Sequence, residues 1–175
     1  MDASSRAARI KLLALDVDGV MTDGSLIYGD HGEEYKAFCV QDGLGIKLAK
    51  FAGITTVIIT GRTSSIVEAR AADLGIEHVY QGVENKRALL GDLLEKLGYG
   101  WPAVAFMGDD IIDLPAMMRC GMAIAPANAR PQIKEKAHLV TESGGGHSAV
   151  RDAIEFILAA QGKLDGAFAV YLDAQ

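Results

Sequence analysis

Short apolar runs alternate along this chain with stretches of helical periodicity. The runs cover residues 10–15, 55–59, 104–107 and 122–125, with weaker ones at 78–80 and 138–140. Their nearly continuous apolar character is typical of strands buried on both faces. Helical spacing of apolar residues covers 45–51, 64–74, 86–97, 114–119 and 149–158. This alternation predicts an α/β fold with a doubly wound, Rossmann-like parallel sheet.

One segment, residues 24–40, breaks this rhythm. It contains alternating apolar and polar positions on both sides of Gly29-Asp30-His31-Gly32. Turn residues between two alternating segments predict a short β-hairpin. Because the hairpin follows the first strand directly, we expect it to project over the carboxyl ends of the strands, where open α/β sheets bind ligands.

The length and composition favour one globular domain that spans residues 1–175, with the hairpin at about 24–40 and a tail at about 162–175. The net charge of −6 argues against nucleic acid as a partner. It leaves room for a small phosphorylated substrate, because a metal ion and a few basic side chains reverse the field locally.

No targeting or membrane segment is expected. The apolar runs are far shorter than the roughly 20 residues that span a bilayer. The first residues, MDASSRAARIKL, lack the apolar centre of a secretory signal. The sequence therefore favours a cytoplasmic protein with no membrane partner.

A pair of aspartates, Asp16 and Asp18, follows the first apolar run. Their period-2 spacing points both side chains the same way at the sheet edge. One carboxylate can attack phosphorus while its other oxygen holds Mg²⁺, and the second can protonate a leaving alkoxide and then deprotonate water. Gly19 lets the backbone turn close to a ligand and is a candidate substrate contact. The alternative is an acidic turn that caps a helix.

Three more aspartates, Asp109, Asp110 and Asp113, follow the run 104–107 within five residues. Charges that repel one another at such spacing are most simply explained by a cation, and Mg²⁺ takes carboxylate oxygens and waters. We expect Asp109 to bind the ion, and Asp110 and Asp113 to orient the ligands of the ion or its bound water without contacting the ion. Helix N-capping is the alternative.

Two further strand or helix ends carry polar residues. Thr60 ends the run 55–59, and its hydroxyl with the N–H groups around Gly61 can hold a phosphate oxygen, although Thr-Gly is also an ordinary turn. Lys86 begins a helix, where a cation opposes the helix dipole unless an anion lies nearby. It can hold phosphate against Asp16, or it is a surface lysine.

The four motifs are more informative together than singly. In a parallel sheet, a carboxylate pair, a hydroxyl, a lysine and an acidic cluster at successive strand ends all meet at one edge. The set predicts a magnesium-dependent phosphatase that works by in-line attack on a phosphomonoester.

These motifs, in this order and over nearly the whole chain, resemble those of the haloacid dehalogenase superfamily. The resemblance implies that Asp16 is the nucleophile and Asp18 the general acid and base. It further implies phosphate contacts from Thr60 and Lys86, and a Mg²⁺ ion held by Asp16, the Asp18 carbonyl and Asp109. The chain has room for the hairpin but not for a large cap domain.

The segments DVDGVMTDG, EEYKAF, VQDGLGIK, ITGR and AQGKLD are similar to those of the 3-deoxy-D-manno-octulosonate 8-phosphate phosphatase family. The similarity implies hydrolysis of that ester in lipopolysaccharide precursor synthesis. It also implies a homotetramer in which the hairpin of one subunit closes a neighbour's active site. Arg62 and Arg70 are the implied substrate contacts, since a basic pair suits a substrate that carries phosphate and carboxylate.

Two places depart from that family's pattern. Gln41 stands where the family usually has arginine, and His147-Ser148 stands where it commonly has a basic residue and glycine. His147, like His31 in the hairpin turn, is a candidate contact to substrate from a neighbouring subunit. These departures leave open a nine-carbon ulosonate 9-phosphate or another small sugar phosphate, although Arg62 favours the eight-carbon ester.

Other classes of protein fit less well. A response-regulator receiver places its acidic pair and its phosphorylated aspartate differently, and the Gly144–Ala149 stretch is a poor dinucleotide-binding match that is simpler as a loop over the active site. The Walker motif of ATPases is missing. A non-catalytic oligomerisation module of the same fold is the main alternative to an enzyme.

Overall fold

The computed structural model describes residues 1–172. Within them the elements run, in chain order, α1 (Ala3–Ala7), β1 (Leu12–Leu15), β2 (Ile27–Tyr28), β3 (Glu34–Tyr35), α2 (Val40–Phe51), β4 (Thr55–Ile59), α3 (Ser65–Leu74), β5 (His78–Tyr80), α4 (Lys86–Leu97), β6 (Val104–Met107), α5 (Leu114–Met117), β7 (Met122–Ala125), α6 (Pro131–Lys134), β8 (Leu139–Val140), α7 (Ala149–Ala160) and α8 (Leu164–Leu172). A 3₁₀ turn, Trp101–Ala103, precedes β6.

The main sheet is parallel and has the strand order β5-β4-β1-β6-β7-β8. The chain moves outward from β1 to β5 and returns to the other side of β1 at β6, which confirms the doubly wound fold. All residues of β1, β6 and β7 are buried. Leu13 and Leu15 face one core with α2 and α7, whereas Leu12 and Ala14 face a second core with α4 and α5. Two covered faces explain the continuous apolar runs.

Several boundaries differ from the sequence prediction. Helix α2 begins at Val40, five residues before the predicted start, and runs through Gly43 and Gly45. Glycine lowers helix propensity, but here a Cβ on Gly43 would lie 2.5 Å from Arg70 Nη2 and one on Gly45 would lie 2.9 Å from Arg151 Cδ. Close packing therefore outweighs propensity. Helices α1 and α6 are too short for a periodic signal.

The predicted hairpin is present between β1 and α2. Strands β2 and β3 pair in antiparallel register, with Ile27 opposite Tyr35 and Tyr28 opposite Glu34. The tail beyond Gly162 forms α8, which was not predicted, and residues 173–175 of that tail lie outside the described residues. Along residues 1–172 no helix has the length and apolar character needed to cross a membrane.

Candidate active site

The carboxyl ends of the central strands meet at one open cleft of about 250 Å³. Asp16 follows β1 directly, Thr60 follows β4, and Asp109 stands two residues after β6. Because β4 and β6 flank β1 in parallel register, their ends meet at one edge. The cleft is lined by Asp16, Asp18, Gly24, Thr60, Gly61, Arg62, Asp109, Asp110 and Ile112. Seven of these nine residues were singled out in the sequence.

Lys86 lies between two buried carboxylates at the floor of this edge. Its Nζ is 2.9 Å from Asp16 Oδ1 and 2.6 Å from Asp113 Oδ1, and all three residues are at least 95% buried. Asn85 caps α4 by accepting a hydrogen bond from the Ala88 N–H. The negative charges of Asp16 and Asp113 offset the unfavourable interaction between Lys86 and the dipole of the helix that it begins. The surface-lysine alternative is therefore wrong.

Asp113 is completely buried and both of its oxygens are engaged. Oδ1 accepts from Lys86, and Oδ2 accepts from the N–H groups of Asp109 and Asp110 at 3.1 and 3.4 Å. Asp113 thereby ties the acidic loop to Lys86. Asp110 is exposed and accepts a hydrogen bond from the Ile111 N–H.

The negative charges of the carboxylates at this edge are only partly neutralised by nearby cations. Burial, with the charge of Asp113, raises the pKa of Asp16 to about 7 despite the opposing effect of Lys86. Burial, with the charges of Asp113 and Asp110, raises the pKa of Asp109 to about 6. Burial lowers the pKa of Lys86, but Asp16 and Asp113 outweigh it and the net shift is upward. The imbalance is what a bound cation would relieve.

The donor set fits a small divalent cation. One oxygen each from Asp16, Asp109 and Asp113 lie within 4.8 Å of one another. Since both Asp113 oxygens are engaged, the available ligands are Asp16 and Asp109. The Asp109 carboxylate rests against Gly19, where an added Cβ would meet Asp109 Oδ2 at 2.2 Å. Only glycine allows Asp109 to approach the backbone this closely. The carboxylates of Asp16 and Asp109 suit Mg²⁺, which prefers carboxylate oxygens.

Asp18 is linked to the hairpin by residues that the sequence analysis missed. Lys36, the residue after β3, places Nζ 2.5 Å from Asp18 Oδ1 and 3.5 Å from Glu34 Oε1. Arg62 Nε lies 3.6 Å from Asp18 Oδ2. The alternation of Glu34 and Lys36 on one face of a strand is the signal that could have indicated them.

Arg62 bridges the cleft and the hairpin. Its Nη2 donates to the Tyr28 hydroxyl at 2.8 Å and to Glu34 Oε1 at 3.4 Å. Tyr28 and Glu34 are a cross-strand pair of the hairpin. These contacts hold the hairpin against the carboxyl edge of the sheet, as its position in the sequence predicts.

The glycine-rich stretch 144–146 packs against the turn that follows Asp18. The Gly145 N–H donates to Asn128 Oδ1 at 2.6 Å, and Asn128 Nδ2 donates to the Gly19 carbonyl at 3.0 Å. A Cβ on Gly145 would lie 2.0 Å from that carbonyl oxygen. Asn128, which the sequence did not indicate, therefore joins the two loops. The stretch supports the turn rather than lining the cleft as a loop over the active site.

Four predicted substrate contacts, Gly19, Arg70, His147 and His31, lie outside the cleft lining of this chain. Arg70 donates to the Cys39 carbonyl at 3.2 Å and stacks over Phe38. His147 is exposed, with Nδ1 2.9 Å from the Gly145 carbonyl oxygen. His31 is exposed in the hairpin turn. Their roles toward substrate stay predictions.

The fold and the site together define a hydrolase of the haloacid dehalogenase class. The profile of the haloacid dehalogenase-like hydrolases matches residues 76–154. The 3-deoxy-D-manno-octulosonate 8-phosphate phosphatase of Escherichia coli strain B is 49% identical over 166 residues, which cover 95% of this chain and 88% of that protein.

Two solved structures show the same similarity. The phosphatase of that specificity from Yersinia pestis superimposes with a TM-score of 0.93 at 47% identity, covering 94% of this chain and 89% of that one. The Moraxella catarrhalis phosphatase, solved with magnesium, phosphate and the sugar acid KDO, gives a TM-score of 0.94 at 43% identity, covering 97% of each chain. The chain belongs to the 3-deoxy-D-manno-octulosonate 8-phosphate phosphatase family.

Proposed function

We propose that this protein hydrolyses 3-deoxy-D-manno-octulosonate 8-phosphate to KDO and phosphate. The observation that carries the proposal is the buried Asp16–Lys86–Asp113 group beside Asp18 and Asp109 at a cleft open to solvent. The relatives named above hydrolyse this ester by name, and at 49% identity their substrate is the best-supported one for this chain. The reaction supplies KDO for lipopolysaccharide precursor synthesis.

In the first half-reaction, Asp16 attacks phosphorus in line with the ester oxygen, and the bond from phosphorus to that oxygen breaks. The hydrogen bonds from Lys86 Nζ and the Val17 N–H to Asp16 Oδ1 fix the nucleophile's orientation. Asp18 gives its proton to the departing alkoxide, so the sugar leaves as a neutral alcohol.

In the second half-reaction, Asp18 takes a proton from a water that attacks the aspartyl phosphate. The bond between phosphorus and Asp16 breaks, and phosphate leaves with the aspartate restored. Lys86, the Thr60 hydroxyl and the Gly61 N–H would hold phosphoryl oxygens. Asp16, the Asp18 carbonyl and Asp109 would hold Mg²⁺, which supplies positive charge to the transferring group when bound.

We assign the contacts that select the sugar acid from the charge and hydrogen-bonding groups of the residues near the cleft. Arg62 lines the cleft, and a guanidinium pairs well with a carboxylate or phosphate. Gly19 lies against the Asp109 carboxylate and stays a candidate contact. Arg70, His147 and His31 stay candidates for contacts from the same or a neighbouring subunit. The cytoplasm stays the expected location.

Phosphate release tests the proposal, with a panel of the eight-carbon and nine-carbon ulosonate phosphates, hexose phosphates and p-nitrophenyl phosphate, each with Mg²⁺ and with EDTA. We expect magnesium-dependent release that strongly favours the octulosonate ester. Preference for the nine-carbon ester would overturn the substrate and keep the phosphatase. No release from any ester would favour a non-catalytic module.

Two variants test the roles of the aspartates. Asp16→Asn should abolish turnover while substrate binding persists, because the amide fills the same volume without the nucleophile. Asp18→Asn should slow phosphate release from a trapped aspartyl phosphate. Turnover near that of the wild type in Asp16→Asn would refute the covalent mechanism.

We also propose a homotetramer in which the hairpin of one subunit completes a neighbour's active site. The hairpin exposes Leu26, Ile27, Tyr28 and Tyr35, each at about half of its surface. A two-stranded hairpin with such side chains is unstable by itself and suits burial against another chain.

Mixing two inactive variants tests the shared site. Asp16→Asn removes the nucleophile, and Tyr35→Asp disrupts the exposed face of the hairpin. If subunits share sites, mixed tetramers regain part of the activity, because some sites combine an intact nucleophile with an intact hairpin. Full activity of a sedimenting monomer would refute the arrangement.

A further inference from the structure

Lys36 is a buried cation whose nearest partner is the proposed general acid. Its Nζ lies 2.5 Å from Asp18 Oδ1, and only 1% of its side chain is exposed. Burying an ammonium group is costly unless it is paired and hydrogen-bonded. Lys36 meets this condition through Asp18 and Glu34, so its burial holds the Asp18 carboxylate in one orientation.

The hairpin places Lys36 by simple alternation. Glu34 and Lys36 are two residues apart in an extended segment, so they share one face, while Tyr35 points to the opposite face and is exposed. The shared face meets Asp18 and Arg62 at the edge of the sheet. Lys36 therefore reaches the catalytic edge although it belongs to none of the four motifs.

The two oxygens of Asp18 have different surroundings. Oδ1 accepts the short, charge-assisted hydrogen bond from Lys36. Oδ2 faces Arg62 Nε at 3.6 Å, which is beyond hydrogen-bond distance. Since Asp18 lines the same cleft as Asp16, Oδ2 is the oxygen that is free to exchange a proton.

We propose that Lys36 is a positioning residue that fixes the Asp18 carboxyl group so that Oδ2 serves as the proton donor and acceptor. The inference rests on the proposed phosphatase function. Oδ2 gives its proton to the ester oxygen as that oxygen leaves phosphorus. Oδ2 then recovers a proton from the attacking water as phosphorus leaves Asp16, and no co-reactant besides water is needed.

The test compares two aryl esters that differ in their need for an acid. p-Nitrophenyl phosphate releases a stabilised anion, whereas phenyl phosphate releases a more basic one that needs protonation. In Lys36→Met we expect kcat/KM to fall about tenfold to hundredfold for phenyl phosphate and less than about threefold for p-nitrophenyl phosphate. Lys36→Arg should restore most of the wild-type ratio, since it keeps a donor for Oδ1.

Lys96→Met, which removes an exposed lysine from α4, is the control for the lost charge. Circular dichroism and the Mg²⁺-induced rise in Tm establish that each variant is folded. If Lys36→Met does not fold, Lys36→Ala, which likewise leaves no donor for Asp18 Oδ1, replaces it, with the same expected selectivity of loss.

Equal losses for the two aryl esters, or none for either, would overturn the role of Lys36. The ratio of kcat/KM for phenyl phosphate to that for p-nitrophenyl phosphate does not depend on how the enzyme recognises the sugar acid. A wild-type enzyme inactive on the octulosonate ester would therefore count against the proposed substrate alone.

Discussion

Removing the charge of Asp113 tests how the buried part of the site is held together. In Asp113→Asn the amide can still accept hydrogen bonds from the N–H groups of Asp109 and Asp110, but it no longer pairs with Lys86 at 2.6 Å. Breaking a buried ion pair typically costs about 3–5 kcal/mol. Lys86 keeps Asp16 at 2.9 Å, so we expect a loss of about 2–3 kcal/mol in the free energy of unfolding.

Urea unfolding measures that loss, and Mg²⁺ titration of the folded variant measures the effect on the metal site. Because Asp113 orients the acidic loop, we expect Mg²⁺ affinity to fall about 10–100-fold. Asp92→Asn removes the same charge from an exposed position of α4 and is the matched control. Wild-type stability together with wild-type Mg²⁺ affinity would refute the positioning role, and complete loss of binding in a stable protein would make Asp113 a direct ligand.

Three further predictions follow from the same structure. The pKa values of Asp16 and Asp109 are raised to about 7 and about 6. The metal-free folded state therefore binds protons that the unfolded chain has already released. The stability that these protons contribute is lost as the pH rises through the folded-state pKa values. Mg²⁺ should accordingly raise Tm more at about pH 8 than at about pH 5.5, and calorimetry in buffers of different ionisation enthalpy should detect proton release on binding; equal Tm shifts would contradict this. Ser148 has a φ of 80° and donates a 2.5 Å hydrogen bond to Gln41, so a double-mutant cycle of Ser148→Gly with Gln41→Ala should give a coupling of about 1 kcal/mol in urea unfolding, and additive effects would refute the pairing. Gly145→Ala should lower stability by about 1–3 kcal/mol, since its Cβ would lie 2.0 Å from a carbonyl oxygen, and unchanged Tm would refute that packing.

The sheet could be predicted because its strands are buried on both faces. Burial of every residue in β1, β6 and β7 requires continuous apolar runs, and such runs are visible without any knowledge of neighbours. The reactive residues follow from the same fact, because a polar residue that ends such a run must lie at the sheet edge. Asp16, Thr60 and Asp109 are placed by this reasoning.

Polar partners that come from distant segments could not be predicted in this way. Asn128 joins Gly19 to the glycine-rich stretch across 109 residues of sequence. Its neighbours in the chain give no signal, because its two hydrogen bonds exist only after both loops have folded. Lys36 differs, since its alternation with Glu34 was visible, but its contact with Asp18 depends on the angle of the hairpin.

The departures at positions 41 and 148 are adjacent in space. The Ser148 hydroxyl donates to Gln41 Oε1 and lies 3.5 Å from Cys39 Sγ. Within residues 1–172, Ser148 is the one non-glycine residue with positive φ, a conformation that costs roughly 1 kcal/mol for a side chain with a Cβ. The hydrogen bond to Gln41 offsets that cost, so the two departures form one structural unit beside the start of α7.

The charges around the cleft explain why substrate binding and catalysis should depend on added positive charge. Lys36, Lys86 and Arg62 are each shared between two carboxylates, so most of their positive charge is already offset before phosphate enters. Asp109 forms no salt bridge within the described residues, and burial, with the charges of Asp113 and Asp110, raises its pKa. A phosphate dianion that enters such a cleft meets net negative charge. The basic residues therefore orient the reacting carboxylates as well as contact phosphate, and a divalent cation at Asp16 and Asp109 supplies the further positive charge that the phosphoryl group needs.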